Sequence, residues 1–170
     1  MSNSTPTHTT TTRTDTRMVA ATATDTVAAS PEVIWSILSD DFLEISTWAG
    51  GVNTSVANPE TPTGINGSQH GGRICDVDGL GITDERITAY DAAARMLTYS
   101  VVAQKQPFFV ESLSSTWSVQ PGTDADRSEV SLTVQATTKG LLGGIGRAPL
   151  RSMLSKAAPG LLGDLKRRAE

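Results

Sequence analysis

The chain has 170 residues, 38% of them hydrophobic, and a formal net charge of −4. This length suits one domain with its own core, and the acidic balance disfavours a nucleic-acid-binding surface. No apolar run approaches the roughly 20 residues of a membrane-spanning helix, so no integral membrane association is expected. The single cysteine, Cys75, excludes an intrachain disulfide. A lone cysteine fits a reducing compartment, and a cytoplasmic location is expected.

The first 17 residues differ in composition from the rest of the chain. They read "MSNSTPTHTTTTRTDTR", with eight threonines and no large apolar residue after Met1. Such a segment cannot bury enough apolar surface to offset the entropy of ordering it. We therefore expect residues 1–17 to be a disordered Thr-rich tail and residues 18–170 to form the folded domain.

From Met18 onward the pattern indicates regular structure. Valine, threonine and small residues alternate in "VAATATDTVAAS", which predicts a first strand. Ser30, Pro31 and Glu32 then have the order of an N-cap, a first-turn proline and a first-turn acid, which predicts a short helix. A second short helix is predicted within "SDDFLEISTWAGG".

About six further strands are predicted, because alternating runs follow one another across short turns. They are a possible strand at 53–57, "GRICDV", "GITDERITAYD", "RMLTYSVVAQ", "FVESLSSTWSVQP" and "RSEVSLTVQATT". Such short connections favour an antiparallel meander.

After Gly140 the apolar period becomes helical, which predicts a long C-terminal helix. Pro159 predicts a kink or a restart of this helix, and the Gly-rich stretch "GLLGGIGRAP" predicts a flexible entrance segment before it. The predicted apolar face comprises Leu150, Met153, Leu154, Ala157, Leu161, Leu162 and Leu165.

This order of elements predicts an α+β fold in which a curved antiparallel sheet wraps around the terminal helix. The stretches "SPEVIWSILSD", "GGRICDV", "DERITAYDAAARMLTYSVV", "STWSVQP" and "GLLGDLKRRAE" resemble the START-like helix-grip proteins of the SRPBCC superfamily, in particular its polyketide cyclase/dehydrase branch. The resemblance implies an internal cavity between the sheet and the C-terminal helix. The expected partner is a hydrophobic small molecule: a lipid, a polyketide or an aromatic metabolite.

Strand alternation indicates which side chains share a face. Arg73, Cys75 and Val77 share one face of their strand, and Glu85 and Arg86 lie on opposite faces of the next. By resemblance to the abscisic-acid receptors of the same superfamily, the face of Glu85 is the inner one, and Arg86 is expected outside. The remaining candidate ligand-binding residues are Asn53, Tyr99, Val101, Leu113, Ser115, Trp117, Leu132 and Met153.

Two functions remain open at this point. The protein either binds or carries its ligand unchanged, or acts as a cyclase or dehydratase with Glu85 and Tyr99 as acid and base groups. Glu85 is alternatively the ion-pair partner of Arg73, and Tyr99 a core residue. His8 and His70 are the only histidines, so we expect no metal site and no cofactor. The protein is expected to be a monomer or a homodimer.

Overall fold

The computed structural model describes residues 17–170; residues 1–16, which make up most of the predicted tail, lie outside the described residues. The first element is β1, Arg17–Val27, so it begins one residue before the predicted domain boundary. The elements that follow are α1 (Pro31–Ser39), a 3₁₀ helix (Phe42–Thr47), β2 (Val52–Ala57), β3 (Gly72–Val77), β4 (Gly81–Asp91), β5 (Met96–Ala103), β6 (Val110–Pro121), β7 (Ser128–Thr138) and α2 (Gly140–Ala169).

The strands form one antiparallel sheet in the order β1-β7-β6-β5-β4-β3-β2. Consecutive strands from β2 to β7 pair with one another, β2 and β3 across the long loop 58–71 and the others across shorter turns, while β1 pairs with β7 at the far edge. A register shift between Ile87 and Ala89 turns Tyr90 toward the core. The predicted α+β helix-grip arrangement is confirmed.

The start of α1 follows from its sequence. The Ser30 side chain accepts a hydrogen bond from the backbone N–H of Val33, 3.4 Å away, and Pro31 takes the first helical position. Ile34, Ile37 and Leu38 then pack into the core. The predicted capped helix is therefore confirmed.

The C-terminal helix differs from its prediction in two ways. α2 is one 30-residue helix that contains Pro159, and residues 140–149 are helical rather than a separate entrance segment. The buried residues of α2 recur mainly at four-residue steps. Because an α-helix rotates by about 100° per residue, Met153 and Ala157 lie off the buried face, and both are exposed. No helix among residues 17–170 is long and apolar enough to cross a membrane. The buried face comprises Leu150, Leu154, Ala158, Leu162 and Leu165.

Polar contacts hold the last turns of α2 against the rest of the domain. Lys166 pairs with Asp25 of β1 at 2.9 Å, and Glu170 accepts a hydrogen bond from the backbone N–H of Ala28 at 3.0 Å. Asp164 accepts a 2.6 Å hydrogen bond from the backbone N–H of Gly50. The C-terminal end of α2 is therefore fixed to both β1 and the turn after the 3₁₀ helix.

Arg86 lies on the outer face of β4, as expected, and organises a small polar network. Its Nε donates to Asp84 Oδ1 at 2.9 Å, and Nη2 reaches Glu60. Hydrogen bonding from Arg86 lowers the pKa of the Asp84 carboxyl against the opposing effect of burial; Asn58 acts in the same direction as Arg86. The ionised carboxylate is thus better stabilised in the folded than in the unfolded chain.

The Asp84 contact predicts a pH-dependent stability difference. Asp84→Asn is expected to lower the free energy of unfolding at neutral pH by about 0.5–1 kcal/mol, the usual range for an exposed pair. Because the folded-state pKa is depressed, the difference is complete above the ordinary pKa of 3.8 and closes as the pH falls through the lower folded-state value. Urea unfolding of both proteins across acidic pH measures this. A difference that stays constant with pH would contradict it.

Candidate functional site

A charged pair lies on the inner face of the sheet, where β3 and β4 pair Arg73 directly with Glu85. Arg73 Nε donates to Glu85 Oε2 at 2.8 Å, and the two residues are 3% and 7% exposed. The hydroxyl of Thr83 donates to the other carboxylate oxygen, Oε1, at 3.2 Å. Both oxygens of Glu85 therefore have hydrogen-bond donors, which offsets much of the cost of burying the charge.

The guanidinium of Arg73 is also fixed by aromatic and backbone contacts. Nη1 donates to the carbonyl oxygen of Phe42 at 2.6 Å, and the guanidinium carbon lies 4.0 Å from the centroid of the Phe42 ring and 5.1 Å from that of Tyr99. Nη2 lies 2.8 Å from Glu85 Oε2. A guanidinium carries five N–H donors, so at least two of them have no acceptor among residues 17–170.

The protonation states around the pair follow from burial and charge. Burial is the largest single effect on the pKa of Arg73 and lowers it, but Glu85, Tyr99 and Cys75 together raise it by more, so the guanidinium stays cationic with a raised pKa. Burial raises the pKa of the Tyr99 hydroxyl; Arg73 opposes this rise and Glu85 adds to it. Burial also raises the pKa of the Cys75 thiol. At neutral pH Tyr99 is thus a hydrogen-bond donor, and Cys75 is a thiol rather than a nucleophilic thiolate.

Arg73 borders an internal cavity of about 10 Å³, which is space for about one water molecule. The cavity lies between the sheet and the segment formed by α1 and the 3₁₀ helix, and no described residue of α2 lines it. The predicted position between the sheet and the C-terminal helix is therefore wrong for this cavity, because α2 packs on β1 and β7. Its lining comprises Ile37, Leu38, Phe42, Ile45, Trp48, Arg73, Leu97, Tyr99 and Trp117.

A second concave region, a groove of about 520 Å³, lies between β1 and α2. Its walls are mainly small residues of β1, with Arg151 and Pro159 of α2 at its side. Both of these α2 residues are exposed. Because the groove holds no buried charge comparable to Arg73, the internal cavity is the better candidate site.

The structure brings together four of the predicted site residues. Arg73, Tyr99 and Trp117 line the cavity, and Glu85 is hydrogen-bonded to Arg73 without lining the cavity itself. Ser115 is buried and is the partner of Tyr99 in the pairing of β5 with β6.

The other predicted site residues lie outside the cavity lining. Cys75 and Val77 pack in a small separate cluster, Val101 and Leu113 pack against the main core, and Leu132 is fully buried within it. Asn53 and Met153 do not line this cavity. Asn53 is exposed and donates to Asp78 at 3.0 Å, and Met153 is 44% exposed.

Half of the lining residues that sequence reasoning missed come from the 3₁₀ helix and the turn after it; the others are Ile37 and Leu38 of α1 and Leu97 of β5. Phe42, Ile45 and Trp48 close the cavity opposite Arg73. Their segment has no constant period from which a buried face can be deduced. The available signal was compositional: four large apolar residues in "DFLEISTW". The indole N–H of Trp48 is buried and has no hydrogen-bond partner among the described residues.

The part of the chain that the structure describes shows no cluster of side chains that could bind a metal ion. Residues 17–170 contain no group of three or more His, Cys, Asp or Glu side chains placed to hold an ion. The polar chemistry of the cavity therefore comes from Arg73, its partner Glu85, and the Tyr99 hydroxyl.

Similar structures share this architecture at low sequence identity. The aromatase/cyclase Zhui from Streptomyces sp. R1128 is 21% identical over 90% of this chain and 94% of its own, with a TM-score of 0.70. Truncated norcoclaurine synthase from Thalictrum flavum is 14% identical over 93% and 97%, with a TM-score of 0.67. A START superfamily protein from Mycobacterium smegmatis is 17% identical over 88% and 96%, with a TM-score of 0.66. These likenesses establish the fold alone.

The search of curated proteins gave no match. The family model described as "Polyketide cyclase / dehydrase and lipid transport" matches residues 18–170, nearly the whole chain. Together with the helix-grip fold, this match shows that the chain belongs to the polyketide cyclase/dehydrase and lipid transport family.

Proposed function

We propose that the protein binds an apolar small molecule whose carbonyl or carboxylate oxygen accepts hydrogen bonds from Arg73. The observation that carries this is the buried guanidinium, held by Glu85 and Phe42, with at least two N–H donors that have no acceptor among residues 17–170. Buried donors without acceptors are costly. A ligand oxygen supplies the acceptor, and the neighbouring rings supply the apolar contact.

The cavity walls favour an aromatic or polyketide-like ligand over a plain hydrocarbon chain. Phe42, Tyr99 and Trp117 present rings, which pack well against planar ligands. The unpartnered indole N–H of Trp48 offers a further donor. A planar molecule with two or more oxygen acceptors matches this arrangement best. A cytoplasmic location and the oligomeric state stay predictions.

Ligand entry requires side chains to move, because the cavity holds about one water molecule. The 3₁₀ helix and Trp48 are the part of the wall best suited to this. A 3₁₀ helix has poorer hydrogen-bond geometry than an α-helix, and four of the six residues in the Phe42–Thr47 segment are at least partly exposed. The ligand therefore selects conformations in which this segment has moved away from Arg73.

A cyclase or dehydratase reaction is the second candidate. Tyr99 and Glu85 both adjoin the Arg73 cation, so a ligand carbonyl bound there would lie close to two titratable groups. Two features favour binding instead. Both Glu85 oxygens already accept hydrogen bonds, and the raised pKa of Tyr99 makes its hydroxyl a weak acid. Glu85 then acts as a positioning residue that holds Arg73.

The test uses 2-naphthoate, a planar aromatic carboxylate, in calorimetric titrations. The double variant Arg73→Leu/Glu85→Leu removes both charges together, so that neither is left buried alone. Its affinity is expected to fall at least about tenfold, the value of one charge-assisted hydrogen bond. Arg86→Leu, an exposed arginine on the same hairpin, is the matched control and should bind as the wild type does.

Equal affinity of the double variant and the wild type would refute the Arg73 anchor. The catalytic alternative is tested with ligand that co-purifies with the protein, analysed by native mass spectrometry. If the wild type converts that ligand and Glu85→Gln retains it unchanged, catalysis replaces simple binding. If both proteins retain it unchanged, the binding proposal stands.

A further inference from the structure

Two large apolar side chains at one end of the molecule, Phe108 and Ile145, are exposed to solvent. Three contacts hold this end together: the Lys105 backbone N–H donates to Leu80 at 3.0 Å, that of Lys139 donates to Phe109 at 2.9 Å, and the Phe109 ring packs on Gly146. A Cβ at Gly146 would lie 2.5 Å from that ring, so the ring packs directly on the glycine backbone and leaves no room for a side chain there. The β3–β4 turn, the β5–β6 turn and the first turns of α2 thus meet at this end.

We call the exposed apolar residues at this end the apical patch. Phe108 is 74% exposed and Ile145, next to Gly146, is 78% exposed, the two highest values among the large hydrophobic residues described. Phe108 is supported from behind, because its ring lies 5.8 Å from that of Phe109 in an edge-to-face arrangement. The apical patch comprises Phe108 and Ile145, whose segments are joined by the contact between Phe109 and Gly146.

The surroundings of the apical patch are cationic although the whole chain has a net charge of −4. Lys105, Lys139 and Arg147 lie on the same turns, and within residues 17–170 none of the three makes an ion pair. The neighbouring acids are Glu111 and Asp78, and Asp78 accepts a hydrogen bond from Asn53. Three cations against two acids leave a small positive excess beside protruding apolar groups, which matches an anionic partner with an apolar interior.

We propose that the apical patch docks the protein reversibly on an anionic bilayer surface. Phe108 and Ile145 enter the boundary between headgroups and acyl chains, while Lys105, Lys139 and Arg147 contact the lipid phosphates. A second copy of the chain is a poorer partner, because a two-fold interface would bring the same cations together. This docking goes beyond ligand binding in the internal cavity and does not depend on it.

The test is co-sedimentation of the full chain with phosphatidylcholine vesicles, with and without phosphatidylglycerol. We expect binding to the anionic vesicles, weakened by salt, and little binding to phosphatidylcholine alone. Phe108→Glu should weaken binding about tenfold by removing buried apolar surface. Lys105→Glu should weaken it at least about fivefold, from about 1 kcal/mol per cation.

The control variants lie at the opposite end or in the interior. Val33→Glu is an exposed apolar change on α1, whose Glu32 contacts Arg95 in the β4–β5 turn far from the patch. Arg168→Glu is a charge reversal near the end of α2. Tyr99→Phe alters the internal cavity, so its unchanged vesicle binding would separate docking from ligand binding. All three should bind vesicles as the wild type does.

Three results would overturn the proposal. The first is no binding of the wild type to anionic vesicles. The second is equal binding by Phe108→Glu, Lys105→Glu and the wild type. The third is a dimer, detected by light scattering, that Phe108→Glu dissociates, because the patch would then be a contact between two copies of this chain.

Discussion

Glu85→Gln is expected to lower the free energy of unfolding by about 3–5 kcal/mol, because it leaves the buried Arg73 cation without its counter-charge. Glutamine has nearly the same shape, so the loss reports charge and hydrogen bonding rather than packing. Arg73 is 3% exposed and cannot recover hydration in the folded protein. Urea unfolding at neutral pH, followed by tryptophan fluorescence, measures the change.

Two further variants separate this explanation from a general sensitivity of the sheet. Arg73→Leu/Glu85→Leu should be markedly less destabilised than Glu85→Gln, since replacing both charges leaves neither ion unpaired. Glu60→Gln, which loses an exposed partner of Arg86, should change stability by no more than about 0.5–1 kcal/mol. A Glu85→Gln loss no larger than that of Glu60→Gln would show that the buried pair contributes little to folding.

Trp117→Ala is expected to lower the free energy of unfolding by about 3–5 kcal/mol, as for other buried large aromatic residues. Trp117 is 2% exposed and lines the internal cavity, so its removal enlarges a space that now holds about one water molecule. An enlarged apolar cavity is expected to bind a matching apolar molecule. Added indole should therefore raise the thermal midpoint of Trp117→Ala by binding the folded state.

The matched control is Trp35→Ala. Trp35 is a partly buried tryptophan that packs on Tyr90, with ring centroids 5.4 Å apart, outside the cavity. Its loss should cost less stability, and indole should not restore it. If indole has equal effects on both variants, or none on either, the cavity next to Trp117 cannot accept an aromatic ring in the way the proposed function requires.

The pair formed by Arg73 and Glu85 shows which structural features can be deduced from local sequence patterns. Strand alternation indicated which neighbours share a face with Arg73 and which with Glu85, and a buried cation needs an opposite charge nearby. Both conditions depend on a few neighbouring residues, and the pairing Arg73↔Glu85 follows once β3 and β4 are joined by their short turn. The helix start at Ser30 was predictable for the same reason, because its cap is made within one turn.

The cavity itself depended on contacts between distant segments. Its far wall is a 3₁₀ helix and a turn, where Phe42 and Trp48 have no period from which a buried face can be deduced. The exposed Met153 shows the same limit on α2, because helix rotation is fixed by packing on β1 and β7 and not by the apolar pattern alone. The sequence by itself determined the order of elements, since this arises from short-range geometry, and the inner position of the Glu85 face was what the resemblance implied. Only the tertiary structure decided where the cavity lies and how small it is, because that depends on which distant side chains fill the space above the sheet.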